Sequence, residues 1–392
     1  MYSARTRWTF TRNRLATAID AARAAGATLV DLTEGNPTRA GLPLPAVHRA
    51  ALAALAGPGI DRYEPDPRGM TVAREAVAAY YQGRGLSVDP GRVILTASTS
   101  EAYGWLFKLL CDPGDAVLVA HPSYPLFDDL ARLEGVVLAP FPLTCEGSWR
   151  IDLGALRAAV TPTTRAVLLV HPNNPTGSFV TREERDALVA LCREHDMALV
   201  VDEVFGDYGY RDDPGRAPSF VAVDDVTTFT LSGLSKVAAL PQWKLGWIVV
   251  GGPPEAVRAA LERLEMVADC YLSVGAPVQH AAAALLASRA AVQTAILQRV
   301  TANRAVLAAR LGRDSRATLL GTEGGWYATV RVPRTRTEED WCVTLAERDG
   351  VLVSPGYFFD FASEAYLVVS LLPPEGVFAE GVDRLAARVD AD

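Results

Sequence analysis

The chain has 392 residues, with 46 acidic side chains against 38 Lys and Arg and a formal net charge of −8. This mildly acidic balance, with no basic block and no Arg/Lys stripe interleaved with aromatics, excludes nucleic acid or an anionic membrane surface as the expected partner. Five scattered cysteines without CxxC spacing exclude a disulfide framework or a structural zinc site and fit a reducing cytosol.

In chain order, Met1–Trp8 carries basic residues with no apolar stretch behind them, so it is not read as a secretory signal. No later run approaches the roughly 20 apolar residues of a membrane helix. A soluble cytoplasmic protein of two or three folding units is expected. From about Pro45 to Pro277, short apolar runs alternate with helix-length amphipathic segments. The runs Val93–Thr96, Val117–Ala120, Val136–Ala139, Val167–Val170, Ala198–Val201, Thr227–Thr230 and Trp247–Val250 read as strands. Between them lie helices such as Glu101–Leu110 and Arg182–His195, the latter with Thr181 placed to cap its first turn and Glu183 and Glu184 at its positive end. Strands that are apolar throughout imply a mostly parallel sheet covered on both faces. In such sheets ligands sit beyond the carboxyl ends of the strands. The segment from about Ala276 to Leu311 is nearly unbroken helix former and predicts one long helix. Thr318–Val332, Trp341–Val353, Tyr366–Leu371 and Val377–Val389 then mix strands and helices in a second, smaller α/β unit.

Three polar residues stand at the ends of apolar runs in the large unit: Asn174 in His171-Pro172-Asn173-Asn174-Pro175-Thr176-Gly177, Asp202 in Val200-Val201-Asp202-Glu203, and Lys236 in Leu231-Ser232-Gly233-Leu234-Ser235-Lys236. An amide, a carboxylate and a lysine are what a pyridoxal 5′-phosphate (PLP) enzyme sets around its cofactor ring. The lysine forms the Schiff base, the carboxylate pairs with the pyridinium nitrogen, and the amide donates to the ring hydroxyl. Asn173 is the rival to Asn174 for the last role. Ser98, Thr99 and Ser100 follow a strand and open a helix, and a hydroxyl-rich helix N-terminus is an anion site that suits the phosphate.

With these motifs in this order and spacing, nearly the whole chain resembles the class I/II aminotransferases of PLP fold type I. The resemblance implies an aspartate-aminotransferase-like α/β fold, with a large domain built on a mostly parallel seven-stranded sheet and a smaller α/β domain. The expected division is an N-terminal arm (residues 1–45) that joins the small domain, a large PLP-binding domain (46–280), and a linking helix with the small C-terminal domain (281–392). It also implies that Lys236 and Asp202 are catalytic, that Ser235 and Lys244 hold the phosphate, and that Tyr124 stacks on the ring. Lys244 stands where the family usually has an arginine, so a point charge replaces a fork. Tyr63 matches the tyrosine that reaches the neighbouring subunit's phosphate, which implies a two-fold homodimer with shared active sites. Phe205 replaces the family's usual tyrosine, and Tyr208 or Tyr210 is a substitute for its hydroxyl.

The substrate side departs further from the family. Val368, in Tyr366-Leu367-Val368-Val369-Ser370, stands where the family's carboxylate-binding arginine is expected. Arg39 is the first replacement cation, with Arg12 and Arg331 behind it, and Gly35 and Asn36 match a loop that lines the substrate pocket. Otherwise the substrate lacks an α-carboxylate or binds in another orientation. Asp269 disfavours an acidic substrate side chain, and the aromatic run Tyr357–Phe361 either lines the pocket or packs the small domain. The expected function is amino transfer from an amino acid or amine donor to a carbonyl acceptor through Lys236, in a ping-pong cycle. The alternative is a PLP-dependent elimination, replacement or carbon–carbon bond-forming reaction on the same fold. No G-x-G-x-x-G loop for a dinucleotide is present.

Overall fold

The computed structural model describes residues 1–42, 53, 55, 60–312 and 314–392. The domain boundary expected at 45/46 lies outside these residues. The strands in chain order are β1 (Val30–Asp31), β2 (Val93–Thr96), β3 (Ala116–His121), β4 (Val137–Cys145), β5 (Trp149–Ile151), β6 (Thr164–Val170), β7 (Ala198–Asp202), β8 (Thr228–Gly233), β9 (Gly246–Gly251), β10 (Thr318–Leu319), β11 (Tyr327–Arg331), β12 (Val351–Leu352), β13 (Ser354–Pro355) and β14 (Tyr366–Ser370).

Strands β2 to β9 form one sheet in the order β2-β9-β8-β7-β6-β3-β4-β5. Its centre, β4-β3-β6-β7-β8, is parallel. Strand β9 runs against both its neighbours, β8 and β2. All seven expected strands are therefore present. The eighth, β5, is a three-residue hairpin partner of β4, too short to stand out in the sequence; β4 itself runs on to Cys145 to meet it. The central strands are buried along nearly their whole length, which is why they read as continuous rather than alternating apolar runs.

The capping expected at Thr181 is a full capping box: Thr181 accepts from the Glu184 N–H while the Glu184 carboxylate accepts from the Thr181 N–H. The long helix expected over 276–311 is instead two, Ala276–Ala287 and Arg289–Arg310, bent by 60° at Ser288. Side chains take over the carbonyls that the break frees: the Ser288 hydroxyl donates to the Leu285 carbonyl and Arg289 to that of Leu286. No single described helix is long and apolar enough to cross a membrane.

The second sheet is antiparallel, in the order β10-β11-β14-β13. One of its faces, with Ala328, Val330, Leu367 and Val369, belongs to a core shared with the C-terminal helix Glu375–Ala391 through Phe378, Val382 and Leu385. Strand β1 pairs in parallel with β12, so the N-terminal segment is tied to this second unit. Phe205 and Tyr208, from the large unit, are buried in the same core and form part of the seam between the two.

Candidate active site

The polar ends of β2, β6, β7 and β8 and the start of β9 meet at one edge of the large sheet. There they enclose a cavity of about 430 Å³. Into it open Ser98, Thr99, Ser100, Tyr124, Asn174, Asp202, Ser235, Lys236 and Lys244. Of the three lysines in the whole chain (Lys108, Lys236 and Lys244), two line this cavity.

Lys236 is placed by the short helix Leu234–Val237, which begins where β8 ends. Its amine lies 4.8 Å from the centre of the Trp326 ring and 5.5 Å from that of Phe205. Removal from bulk water draws its pKa down to about 8 against the opposing charge of Asp202, so a useful fraction of the amine is neutral near physiological pH. Asp202 ends β7 and is buried. Its Oδ2 accepts from the Tyr103 hydroxyl at 2.6 Å and its Oδ1 from the Val204 N–H at 2.9 Å. Burial pushes the carboxyl up to about 6, while those two donors and the Lys236 charge hold it down. Tyr103 in turn is pushed well up by burial and by the Asp202 charge, so it stays a donor.

Asn173 and Asn174 have separate duties. Asn173 is consumed by its own turn: its amide donates to the Pro122 carbonyl and its oxygen accepts from the Thr176 hydroxyl at 2.9 Å. Asn174 faces the cavity, and its buried Oδ1 has no hydrogen-bond partner. A buried amide oxygen left unpaired within the protein marks a place where a ligand's polar group is expected.

The anion end is built on the helix Thr99–Leu110, capped by the Ser98 hydroxyl, which accepts from the Glu101 N–H at 3.2 Å. The helix starts two residues earlier than its apolar pattern indicates, because that pattern does not register a hydroxyl-rich first turn. Gly246 leaves this end open: a Cβ there would lie 3.2 Å from the Thr99 nitrogen and 3.0 Å from the Thr96 hydroxyl. Lys244, in the left-handed region at φ 52°, completes it. Hydroxyls, free N–H groups of a helix start and an ammonium suit a phosphate, while Tyr124, Asp202 and Asn174 suit a pyridine ring. The donor set therefore fits PLP.

The structure places the remaining expected residues as follows. Tyr208 donates to the Lys236 carbonyl at 2.6 Å and Tyr210 to that of Gly325 at 3.0 Å, so neither supplies the hydroxyl that Phe205 lacks. Besides Tyr124, the tyrosine that lines the cavity is Tyr327, whose ring centre is 6.4 Å from that of Phe205. Gly35, Asn36 and Arg39 are not part of the cavity lining. Gly35 abuts the Tyr327 hydroxyl, to which a Cβ would come within 2.2 Å. The Asn36 side chain accepts from the Thr38 N–H and hydroxyl. Arg39 is 73% exposed and paired with Glu34 at 3.1 Å. Arg12 is likewise exposed and paired with Asp20. Tyr63 is 83% exposed and lines a separate cavity of about 250 Å³ with Trp105, Leu272 and Gln279. The aromatic run does not line the main cavity either; it is clasped to the loop carrying Tyr124, where the Ser123 N–H donates to the Phe359 carbonyl at 2.8 Å. Tyr327 on the cavity, Tyr103 bonded to Asp202 and Trp326 beside Lys236 are aromatics that the sequence did not single out.

The family described as aminotransferase class I and II matches residues 27–385. The glutamate–pyruvate aminotransferase AlaA of Escherichia coli K12 is 31% identical over 217 residues, which is 55% of this chain and 53% of that protein. The match therefore spans about half of that relative's length. The arginine–pyruvate transaminase AruH of Pseudomonas aeruginosa is 29% identical over 348 residues, 88% of this chain and 86% of that one. Among solved structures, an alanine aminotransferase from Pyrococcus furiosus superposes over 100% of both chains, with a TM-score of 0.91 at 23% identity. An aspartate aminotransferase mutant from Thermus thermophilus superposes over 99% of both chains, with a TM-score of 0.85 at 28% identity, and the two likenesses establish the aspartate-aminotransferase-like α/β fold.

Proposed function

We propose, from the premise that this chain belongs to the class I and II aminotransferase family, that it is a PLP-dependent aminotransferase acting through Lys236. The observation that carries this reading is the convergence of Lys236, Asp202 and Asn174 on one cavity with a helix N-terminus at its end. When bound, PLP supplies an aldehyde for the lysine and a ring that withdraws electrons from the reacting carbon.

The remaining work falls to the chain's own residues. Lys236 attaches the cofactor through its neutral amine, and once displaced by the donor it carries a proton to and from the donor's carbon. Asp202, ionised above pH about 6, holds a proton on the ring nitrogen, and Tyr103 and the Val204 N–H keep that carboxylate oriented. Asn174 donates to the ring oxygen and Tyr124 covers the ring face. Ser98, Thr99, Ser100, Ser235 and Lys244 hold the phosphate.

The proposal includes a two-fold homodimer in which Tyr63 completes the partner's phosphate site. Exposed Tyr63 and Leu272, which line one surface cavity with Trp105, support it, since apolar side chains of that size gathered at a surface favour a partner. It includes a cytoplasmic location, to which the five free cysteines are suited. It also includes the division into a large unit (46–280) inserted between the arm (1–45) and the C-terminal part (281–392), with the β1–β12 pairing in support.

The test is the visible spectrum of protein mixed with PLP, followed by amino donors one at a time with the product carbonyl assayed. Uptake of the cofactor and stoichiometric loss of its visible band with matching carbonyl release are expected. Protein that takes up no PLP, or that releases ammonia instead of passing nitrogen to an acceptor, contradicts the reading.

A further inference from the structure

Within one copy of the chain, and among its described residues, the cavity's charged groups leave no cation for a substrate carboxylate. Among the described residues that line it, the cations are Lys236 and Lys244. The first is committed to the reacting carbonyl and the second lies beside the anion end. The side facing them belongs to the small sheet, and it is neutral. Strands β11 and β14 bring Tyr327 opposite Ser370, with Tyr327 in the cavity. One rung further on the same face, Val368 lies opposite Thr329 and, on its other side, opposite Ser354. Val368 is 1% exposed, and the Thr329 hydroxyl is buried without a hydrogen-bond partner. From Tyr327 to Val368 this face thus carries hydroxyls and the aliphatic Val368 and no charge; the next residue on the face along β11 is Arg331.

The N-terminal segment that crosses this face brings a carboxylate. The Ser370 hydroxyl donates to the Glu34 carbonyl at 2.7 Å, and Gly35 packs on the Tyr327 hydroxyl. Arg39 is engaged by the Glu34 carboxylate at 3.1 Å. Turning Arg39 onto a substrate carboxylate would leave Glu34 unpaired beside the same group and exchange one carboxylate for another without gain. Arg331 is exposed and four residues along β11 from Tyr327, about 13 Å at about 3.3 Å per residue. A carboxylate taken out of water against this face finds no cation, whereas a neutral hydroxyl or carbonyl finds the Tyr327 hydroxyl, which lines the cavity, with Val368 packed behind it on the same face.

We infer that the donor is a primary amine whose reacting carbon carries no carboxylate, with neutral and hydrogen-bonding substituents in its place. This rests on the aminotransferase reading. The overall exchange is R₂CH–NH₂ + R′₂C=O → R₂C=O + R′₂CH–NH₂. The donor's C–N bond is replaced by C=O, the nitrogen passes to the acceptor carbon, and the hydrogen and electron pair lost by the donor carbon are gained by the acceptor. No outside oxidant enters.

The experiment uses the PLP-loaded protein and matched pairs, each amino acid having its amine only on the carboxylated carbon: phenylalanine against phenethylamine, leucine against 3-methylbutylamine, alanine against 2-aminopropanol. Dissociation constants are read from titration of the visible band and from the shift in melting temperature, and kcat/KM from carbonyl release. The amine of each pair is expected to lead in kcat/KM by about 100-fold, because the amino acid brings an unpaired charge into the site. Val368→Arg is expected to tighten amino acid binding about 10-fold through a charge-assisted contact. If Val368→Arg does not fold, the unmodified protein's panel decides alone. Amino acids leading in the pairs overturns the inference and leaves the aminotransferase reading intact. No response from any donor overturns both.

Discussion

The sheet edge that carries Lys236 and Asp202 and the small-sheet face that carries Tyr327 and Val368 meet at one cavity, yet they are put together differently. On the first, charged groups are buried and each is constrained: Asp202 by two donors, Lys236 by desolvation and the Asp202 charge. On the second, no charge is buried; hydroxyls and aromatics are positioned by strand register and by the crossing of Leu32–Gly35, whose Leu32 carbonyl accepts from the Ser370 N–H at 2.7 Å. The half of the cavity proposed for the cofactor is fixed by local strand ends, whereas the half proposed for the substrate depends on how the second unit is seated.

If the charged edge is the chemical half, its variants have the largest effects. Lys236→Ala is expected to lower turnover by about 10⁴-fold, the upper range for a lost nucleophile and proton carrier. A steady-state assay that finds more than a tenth of wild-type activity contradicts that role. Asp202→Asn, which removes the charge and keeps the shape, is expected to cost about 10²- to 10³-fold in kcat, since breaking a buried charge pair is worth roughly 3–5 kcal/mol. Next comes Tyr103→Phe. It deprives the carboxylate of a donor, so the pKa of Asp202 rises above about 6 and the acidic limb of the rate profile moves to higher pH. The expected loss is about 10-fold at pH 6 and smaller at pH 8. Gly35→Ala acts on the neutral half. Its Cβ would press on the Tyr327 hydroxyl, and KM is expected to rise about 3- to 10-fold with kcat little changed.

The same groups set a pH dependence of stability in the unloaded protein. The Lys236 pKa is depressed from 10.5 to about 8 in the fold, so the unfolded chain binds more protons between those values. Its contribution to stability is therefore present above pH 10.5 and is lost as pH falls through about 8. For Asp202, raised from 3.8 to about 6, the contribution is present below pH 3.8 and is lost as pH rises through about 6. Replacing Lys236 by methionine is expected to raise the melting temperature of the unloaded protein at pH 7 by about 2–4 °C, which calorimetry would check.

The contrast also explains what the sequence disclosed. Asn174, Asp202 and Lys236 were legible because each follows a buried strand, and a polar residue after such a run has few reasons to be there except chemistry. The seven strands were legible for the same reason. Tyr103 was not, since an aromatic on an amphipathic helix looks like any other core residue. Trp326 and Tyr327 were hidden because their place at the cavity depends on packing between two units far apart in sequence. The 60° bend was hidden because Ser288 is a weak signal among helix formers. The pairing of Arg39 with Glu34, five residues apart in a loop, follows only from the turn between them.

The central claim, that Lys236 carries the cofactor, is most directly tested by borohydride reduction of the PLP-treated protein followed by peptide mapping. With three lysines in the chain, the outcome is unambiguous. The account predicts the phosphopyridoxyl group on Lys236, with Lys244 and Lys108 unmodified. Stoichiometric label on Lys244 or Lys108, or none on any lysine, contradicts it.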